Sequence, residues 1–162
     1  MAETTFEFEL FVRAPRDQVF AFMRYLPNHV LVHPMIAWIE PLDDLELLEP
    51  VAQLAPGERS RPRRFRIFDR LDLGPLRWTF PYDVELTVCP PDELRFHATR
   101  FPRVRLENVM RCLEDGAGTR IHEVSRISAP GPLIAYIRRV ALAAHAEMFE
   151  GIRAHLERAA GR

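Results

Sequence analysis

The sequence predicts an α+β fold with an antiparallel sheet of seven strands, a long C-terminal helix, and two short helices between strands 1 and 2. Three observations lead to this prediction. The chain opens with alternating apolar and polar residues, six further strand-like segments follow one another through short turns, and residues 130–160 form one amphipathic helix. Because short turns join consecutive strands, we expect the sheet to be antiparallel.

The first elements are a strand and two short helices. The strand includes Phe6 and the residues after it, where apolar and polar side chains alternate with a period of two. Residues 14–26 predict a helix, since their proline suits the first turn and apolar residues recur at helical spacing. Pro27 ends that helix or begins a second one, which stops near His33 because a following proline disfavours helical geometry.

The later elements are six strands and the closing helix. Glycine and proline occupy the turns between the strands, in APGE, LGP, CPPDE, RFPR and EDGAG. The predicted strands are 36–48, 62–73, 76–88, 93–100, 104–114 and 118–128. The apolar face of the closing helix holds Leu133, Ile137, Val140, Ala144, Met148, Ile152 and His155.

Composition narrows the function classes. A chain of 162 residues with a net charge of -1 fits one domain, 1–162, and lacks the positive charge that DNA binding requires. No run of about 18 apolar residues predicts a membrane span, and no signal peptide is recognisable, so we expect a cytoplasmic protein. All 22 basic side chains other than histidine are arginine, which excludes lysine-based chemistry.

Three segments carry a family resemblance: FVRAPRDQVFAFM, HPMIAWIE and EDGAGTRIHEVSRI. With the order of elements, they make nearly the whole chain similar to the START/SRPBCC superfamily, which includes birch-pollen-allergen-like proteins, lipid-transfer domains and polyketide cyclases/dehydrases. The resemblance implies the helix-grip fold, in which the curved sheet surrounds the last helix and leaves a ligand cavity between them. It carries no catalytic signature.

Strand alternation predicts which side chains face this cavity. The predicted ligand-binding residues of the sheet are Phe65, Ile67, Asp69, Trp78, Phe80, Tyr82, Phe96, Asn108, Met110 and Ser125, and those of the closing helix are His145 and Met148.

Glu123 is the candidate for acid–base chemistry. A four-residue hairpin loop at 115–118 places Asn108 opposite Ser125 and Met110 opposite Glu123, which forms a polar cluster on an apolar wall. A buried carboxylate without a cation has a raised pKa, so Glu123 is a candidate general acid or base. In the alternative, Glu123 pairs with an arginine or is hydrated at the cavity mouth.

Two further clusters have both a structural and a functional interpretation. His29 and His33 have the spacing of a two-histidine metal clamp, but no third ligand is adjacent in sequence, although His97 or His122 could supply one from a strand. We therefore expect both histidines to bind backbone groups near a pocket entrance, with no metal or cofactor.

The arginine run 59–66 predicts a charged, solvent-facing strand or, alternatively, a patch that binds RNA or phosphate.

Three functions are compatible with the sequence. The leading one is binding of a hydrophobic small molecule, such as a lipid, an isoprenoid or an aromatic polyketide-like compound. The first alternative is a cyclase/dehydratase-type enzyme that uses Glu123, with Asn108 and Tyr82 polarising a carbonyl group. The second alternative is a protein or RNA interaction module. The sequence is compatible with either a monomer or a homodimer. No GxSxG, P-loop, GxGxxG or HExxH motif is present to indicate another chemistry.

Overall fold

The computed structural model describes residues 1–44 and 53–160. The strands are β1 (Ala2–Val12), β2 (Ile36–Pro41), β3 (Arg63–Leu73), β4 (Leu76–Cys89), β5 (Glu93–Arg100), β6 (Val104–Asp115) and β7 (Gly118–Ala129). The helices are α1 (Arg16–Arg24), a short 3-10 helix (Leu26–Leu31) and α2 (Gly131–Ala160).

The predicted fold class is confirmed. The sheet has seven strands in the order β1-β7-β6-β5-β4-β3-β2, and every neighbouring pair is antiparallel. β1 and β2 lie at opposite edges, so α1 and the 3-10 helix carry the chain from one edge of the sheet to the other. The five strands from β3 to β7 are joined by short turns, as the glycine and proline positions indicated.

Two strand boundaries differ from the prediction. β1 begins at Ala2, before the alternating pattern starts, because its backbone pairs with β7 along its whole length, from Ala2 opposite Ala129 to Val12 opposite Thr119. The strand predicted at 36–48 ends at Pro41, whose nitrogen has no hydrogen to donate to a sheet. The last four residues of that prediction, 45–48, lie outside the described residues.

The two halves of α2 differ in packing. The second half, 146–160, buries Met148, Phe149, Ile152 and Leu156, whereas Ala144 is the one side chain described in the first half that is fully buried. Gly151 makes close packing possible here, because a Cβ at this position would lie 2.8 Å from the carbonyl oxygen of Val32.

Two solvent-facing arginines of β3 pair with carboxylates, as alternation predicted. Arg64 lies 2.7 Å from Asp43, and Arg66 lies 2.8 Å from Asp83, its partner across the β3–β4 ladder. Such exposed pairs contribute little to stability. They account for two arginines of the run 59–66.

Within residues 1–44 and 53–160, no helix has the length and apolar character needed to cross a membrane.

Candidate ligand cavity and buried Glu–His pair

A cavity of about 270 Å³ lies between the sheet and the first half of α2. We call it the outer cavity. Its polar groups are His33, Asp69, Tyr82, Arg100 and His145. Apolar side chains form most of the remaining wall, among them Leu71, Ala98, Val104, Leu106 and Ile127 from the sheet, and Leu133, Tyr136, Ile137, Val140, Ala141 and Ala144 from α2.

A smaller cavity of about 90 Å³, the inner cavity, adjoins the outer one. The walls of the two share His33, Tyr82, Ala98, Leu106 and His145. The inner cavity is further lined by Leu26, His29, Ile36, Ile67, Val84, Phe96, Asn108, Met110, Glu123 and Met148. Together the cavities form an apolar space with polar groups concentrated in two places.

The first polar group joins Asp69, Tyr82 and Arg100 in the outer cavity. The Tyr82 hydroxyl donates to Asp69 Oδ1 over 3.4 Å, and the Arg100 guanidinium lies 3.8 Å from Asp69 Oδ2. Burial raises the pKa of Asp69 to about 6, although Arg100 and Tyr82 oppose this shift. Burial also raises the pKa of Tyr82, so its hydroxyl remains a hydrogen-bond donor.

The second polar group centres on Glu123 and His145. His145 Nδ1 lies 2.5 Å from Glu123 Oε1, and the side chain of Glu123 is only 1% exposed. Phe6 and Phe8 hold the imidazole ring, with ring centroids 5.5 and 6.1 Å from its own. α2 and β7 thus bring an acid and a base together beside both cavities.

This pair corrects the prediction for Glu123. Burial alone raises the pKa of a carboxyl group, but the hydrogen bond and charge of His145, with the neighbouring Asn108 and Ser125 side chains, lower the pKa of Glu123 below its ordinary value. Glu123 is therefore a carboxylate and not a proton donor near neutral pH. Its charged partner is a histidine of α2 and not the arginine considered from the sequence.

The predicted strand register is confirmed around this pair. Asn108 lies opposite Ser125, and Met110 lies opposite Glu123. Ser125 Oγ donates to Glu123 Oε1 over 3.1 Å, and Asn108 Nδ2 donates to Ser125 Oγ over 2.8 Å. Two acceptor atoms, Asn108 Oδ1 and Glu123 Oε2, are buried without a hydrogen-bond partner among the described residues.

His29 and His33 bind backbone groups, as expected. His29 Nε2 donates to the carbonyl of Met23 over 2.9 Å, and His33 Nδ1 accepts from the amide of Met35 over 3.2 Å. Burial lowers the pKa of His29, and burial, together with the nearby imidazoles of His145 and His29, lowers the pKa of His33 to about 3. Both rings are therefore neutral, and the ring proton of His33 is on Nε2. In the described part of the chain, no three or more His, Cys, Asp or Glu side chains are grouped to hold a metal ion.

The predicted ligand-binding residues other than Trp78 line one or both cavities or lie outside them. Asp69, Tyr82 and His145 line the outer cavity. Phe65 and Ser125 are buried in the interior, and Phe80 is half-buried outside both cavities. The inner cavity is lined by Ile67, Tyr82, Phe96, Asn108, Met110, His145 and Met148, together with Glu123.

The inward orientation predicted for Trp78 is wrong. This side chain is 54% exposed. Trp78 keeps the alternation of β4, but it lies near the β3–β4 turn, where Leu76, Arg77 and Thr79 are exposed as well. Alternation assigns a face of the strand and does not say where the core ends.

Arg100 is a polar cavity residue that was not assigned from the sequence. It shares the inward parity of Leu94, Phe96 and Ala98 on β5, so continuing the alternation to the end of that strand would have found it. His33, which was expected near a pocket entrance, lines both cavities, although no periodic pattern after the 3-10 helix assigns a direction to its side chain.

Comparison with known proteins supports the fold independently. A scan against protein-family models gave no match, and a search of curated proteins gave none. Among solved structures, Zhui aromatase/cyclase from Streptomyces sp. R1128 is similar, with a TM-score of 0.72, 12% identity, and coverage of 97% of this chain and 95% of that chain.

Two further structures are similar over most of this chain. The START superfamily protein from Mycobacterium smegmatis has a TM-score of 0.65, 12% identity, and coverage of 95% of this chain and 98% of that chain. The di-domain aromatase/cyclase BexL, from the BE-7585A biosynthetic pathway, has a TM-score of 0.67, 14% identity and coverage of 96% of this chain. The present chain spans about half of BexL, 50% of its length. The resemblance read from the sequence is thus confirmed at the level of the fold: the chain has the helix-grip fold of START and aromatase/cyclase proteins.

Proposed function

We propose that this protein binds a hydrophobic small molecule in the outer and inner cavities. The observation that carries the proposal is the outer cavity, an apolar space beneath α2 with a few polar groups at fixed positions. Small-molecule sites generally combine an apolar wall with a few polar groups that orient the ligand. Its volume of about 270 Å³ suits a compact molecule of one to three rings or a short chain.

The candidate ligand classes are lipids, isoprenoids and aromatic polyketide-like compounds. The named aromatase/cyclase and START proteins support this range by analogy, because they share the fold at low sequence identity. The cavity wall favours rings, since Tyr82, Phe96 and Tyr136 offer aromatic surface to a planar ligand.

Filling the outer cavity is expected to abolish binding without unfolding the protein. Ala141 lines this cavity, so we expect Ala141→Trp to lower the affinity for the neutral probe N-phenyl-1-naphthylamine at least about tenfold by occupying its space. Fluorescence titration measures the affinity, and circular dichroism checks the fold.

Ala154→Trp is the matched control for this experiment. It makes the same change on the same helix, at an exposed position outside both cavities. Equal probe affinity in both variants and the unsubstituted protein would place any binding elsewhere. No probe binding to the unsubstituted protein, together with no organic molecule in native mass spectra, would contradict the proposed function.

Proton abstraction is a second candidate function, favoured specifically by the Glu123–His145 contact. Because Nδ1 of His145 is held by Glu123, Nε2 is the ring atom that would act as the base, in the form of the ring in which Nε2 carries no proton. His145 lines both cavities, so it is the residue that would contact a substrate, while Glu123 would orient it. The chain has no lysine that could serve instead.

A model reaction tests this candidate without knowledge of the natural substrate. 5-Nitrobenzisoxazole loses its ring C–H proton to a base, its N–O bond breaks, and a coloured phenolate is released. We expect His145→Ala to reduce kcat/KM for this compound about hundredfold, because a positioned base contributes roughly that factor. Glu123→Gln is expected to cause a smaller loss and to change the pH profile.

His155→Ala is the control variant for the model reaction. His155 lies on the same helix, and its ring contacts Phe22, with centroids 4.8 Å apart, away from both cavities. An equal rate in both alanine variants would exclude His145 as the base.

A further inference from the structure

The inner cavity contains hydrogen-bond acceptors that lack donors. Glu123 Oε2 and Asn108 Oδ1 are buried without a partner among the residues that the structure describes. Both residues line the inner cavity, and they are 1% and 5% exposed, respectively. Unpaired polar atoms at this depth are uncommon in native proteins, because burial removes their hydration without replacing it.

The neighbouring groups explain why these two atoms remain unpaired. His145 and Ser125 both bind Oε1 of Glu123, which leaves Oε2 free. The amide nitrogen of Asn108 donates to Ser125, so its oxygen is the atom left over. His29 uses its Nε2 proton on the Met23 carbonyl, and its Nδ1 is therefore an acceptor as well.

A ligand group suited to this site must donate hydrogen bonds and carry no negative charge. Carboxylates and phosphates would face the charge of Glu123 at short range. An ammonium group would bring a full positive charge into an apolar wall where Glu123 already has His145 as its partner. A hydroxyl group satisfies an unpaired acceptor at a smaller desolvation cost.

We propose that the inner cavity recognises a hydroxyl group on an apolar ring, whose O–H donates to Glu123 Oε2 or Asn108 Oδ1. This inference rests on the proposed function and specifies its ligand class as neutral alcohols and phenols. Phe96, Met110 and Met148 give the inner cavity an apolar wall next to these acceptors. A ligand in the outer cavity can place its hydroxyl there, since the two cavities adjoin.

Matched naphthalene derivatives test the proposal. We expect the unsubstituted protein to bind 2-naphthol at least about tenfold more tightly than 2-methylnaphthalene, measured by displacement of N-phenyl-1-naphthylamine. The two compounds have nearly the same size, and 2-naphthol is the better hydrated in water. A preference for 2-naphthol therefore requires a polar contact in the cavity.

2-Methoxynaphthalene tests the direction of the hydrogen bond without any protein variant. It keeps the oxygen of 2-naphthol but has no proton to donate. We expect it to bind as weakly as 2-methylnaphthalene. Binding equal to that of 2-naphthol would overturn the proposal, because the ligand oxygen would then be an acceptor.

Three variants locate the contact. Asn108→Leu and Glu123→Leu each remove one of the unpaired acceptors, and we expect at least one of them to reduce the preference for 2-naphthol below about threefold. Leu106→Ala is the control, since it changes the apolar wall shared by both cavities and weakens all three compounds alike. An undiminished preference in both leucine variants would overturn the assignment.

The outcomes separate this inference from the proposed function. Equal binding of 2-naphthol and 2-methylnaphthalene by the unsubstituted protein would overturn the hydroxyl site and leave the hydrophobic ligand site in place. Failure of all three compounds and of the probe to bind would contradict the proposed function, and the inference with it.

Discussion

Replacing His145 by alanine is expected to lower the free energy of unfolding by about 3 kcal/mol near pH 7. The substitution leaves the Glu123 carboxylate buried at 1% exposure without the partner that now lies 2.5 Å away. Removing one member of a buried ion pair generally costs more than the pair contributes, because the remaining charge stays desolvated. Urea unfolding followed by circular dichroism measures the change.

Two further variants identify the cause of this loss. Glu147→Ala changes an exposed residue of the same helix and is expected to alter the free energy of unfolding by less than about 0.5 kcal/mol. The double variant His145→Ala/Glu123→Leu is expected to recover most of the stability, since no buried charge remains. A loss in His145→Ala no larger than that in Glu147→Ala would contradict the expectation.

The loss in His145→Ala is also expected to shrink as the pH falls. In the unsubstituted protein the pKa of Glu123 is lowered, so its contribution to stability is present above its unfolded pKa and disappears on acidification. In the variant, burial without a partner raises the pKa of Glu123, and protonation at acidic pH then relieves the destabilisation. Both effects reduce the difference in the free energy of unfolding between the two proteins at acidic pH.

The second large effect is expected on the acid stability of the protein through His33. Its pKa is about 3 in the folded protein against 6.5 for the ordinary group, chiefly because of burial. Between these values the unfolded chain binds a proton that the folded protein does not, so stability falls as the pH falls through this window. At about 1.4 kcal/mol per pH unit, the loss from pH 6.5 to pH 4 is about 3 kcal/mol.

His33→Asn isolates this contribution, because asparagine has no proton to gain and its side-chain oxygen can replace Nδ1 as the acceptor for the Met35 amide. Urea unfolding between pH 7 and pH 4 is expected to show a weaker pH dependence in this variant than in the unsubstituted protein. His97→Asn, at an exposed position, is the control. The same pH dependence in all three proteins would exclude His33 as the source.

Strand alternation and one hairpin predicted from the sequence several of the sheet residues that line the cavities. The EDGAG turn fixed the register that places Asn108 opposite Ser125. Alternation on β3 and β4 also put Asp69 and Tyr82 on the inward face, where their side chains meet. These are local features, in which the spacing along the chain determines the position in space.

The Glu123–His145 contact could not be predicted from spacing along the chain. The two residues are 22 positions apart, and their meeting depends on where α2 crosses the sheet. Tertiary packing sets that crossing, including the approach of Gly151 to Val32, which no periodic pattern encodes. The direction of the pKa shift of Glu123 could not be predicted without that partner.

The unequal packing of α2 bears on ligand access. Four of the five fully buried side chains described on this helix lie in its second half, while the outer cavity is lined by residues of the first half, from Leu133 to His145. Local opening at the start of α2 would expose the cavity and leave the buried second half in place. We therefore expect substitutions between Leu133 and Ala141 to change the rate of ligand exchange more than the free energy of unfolding.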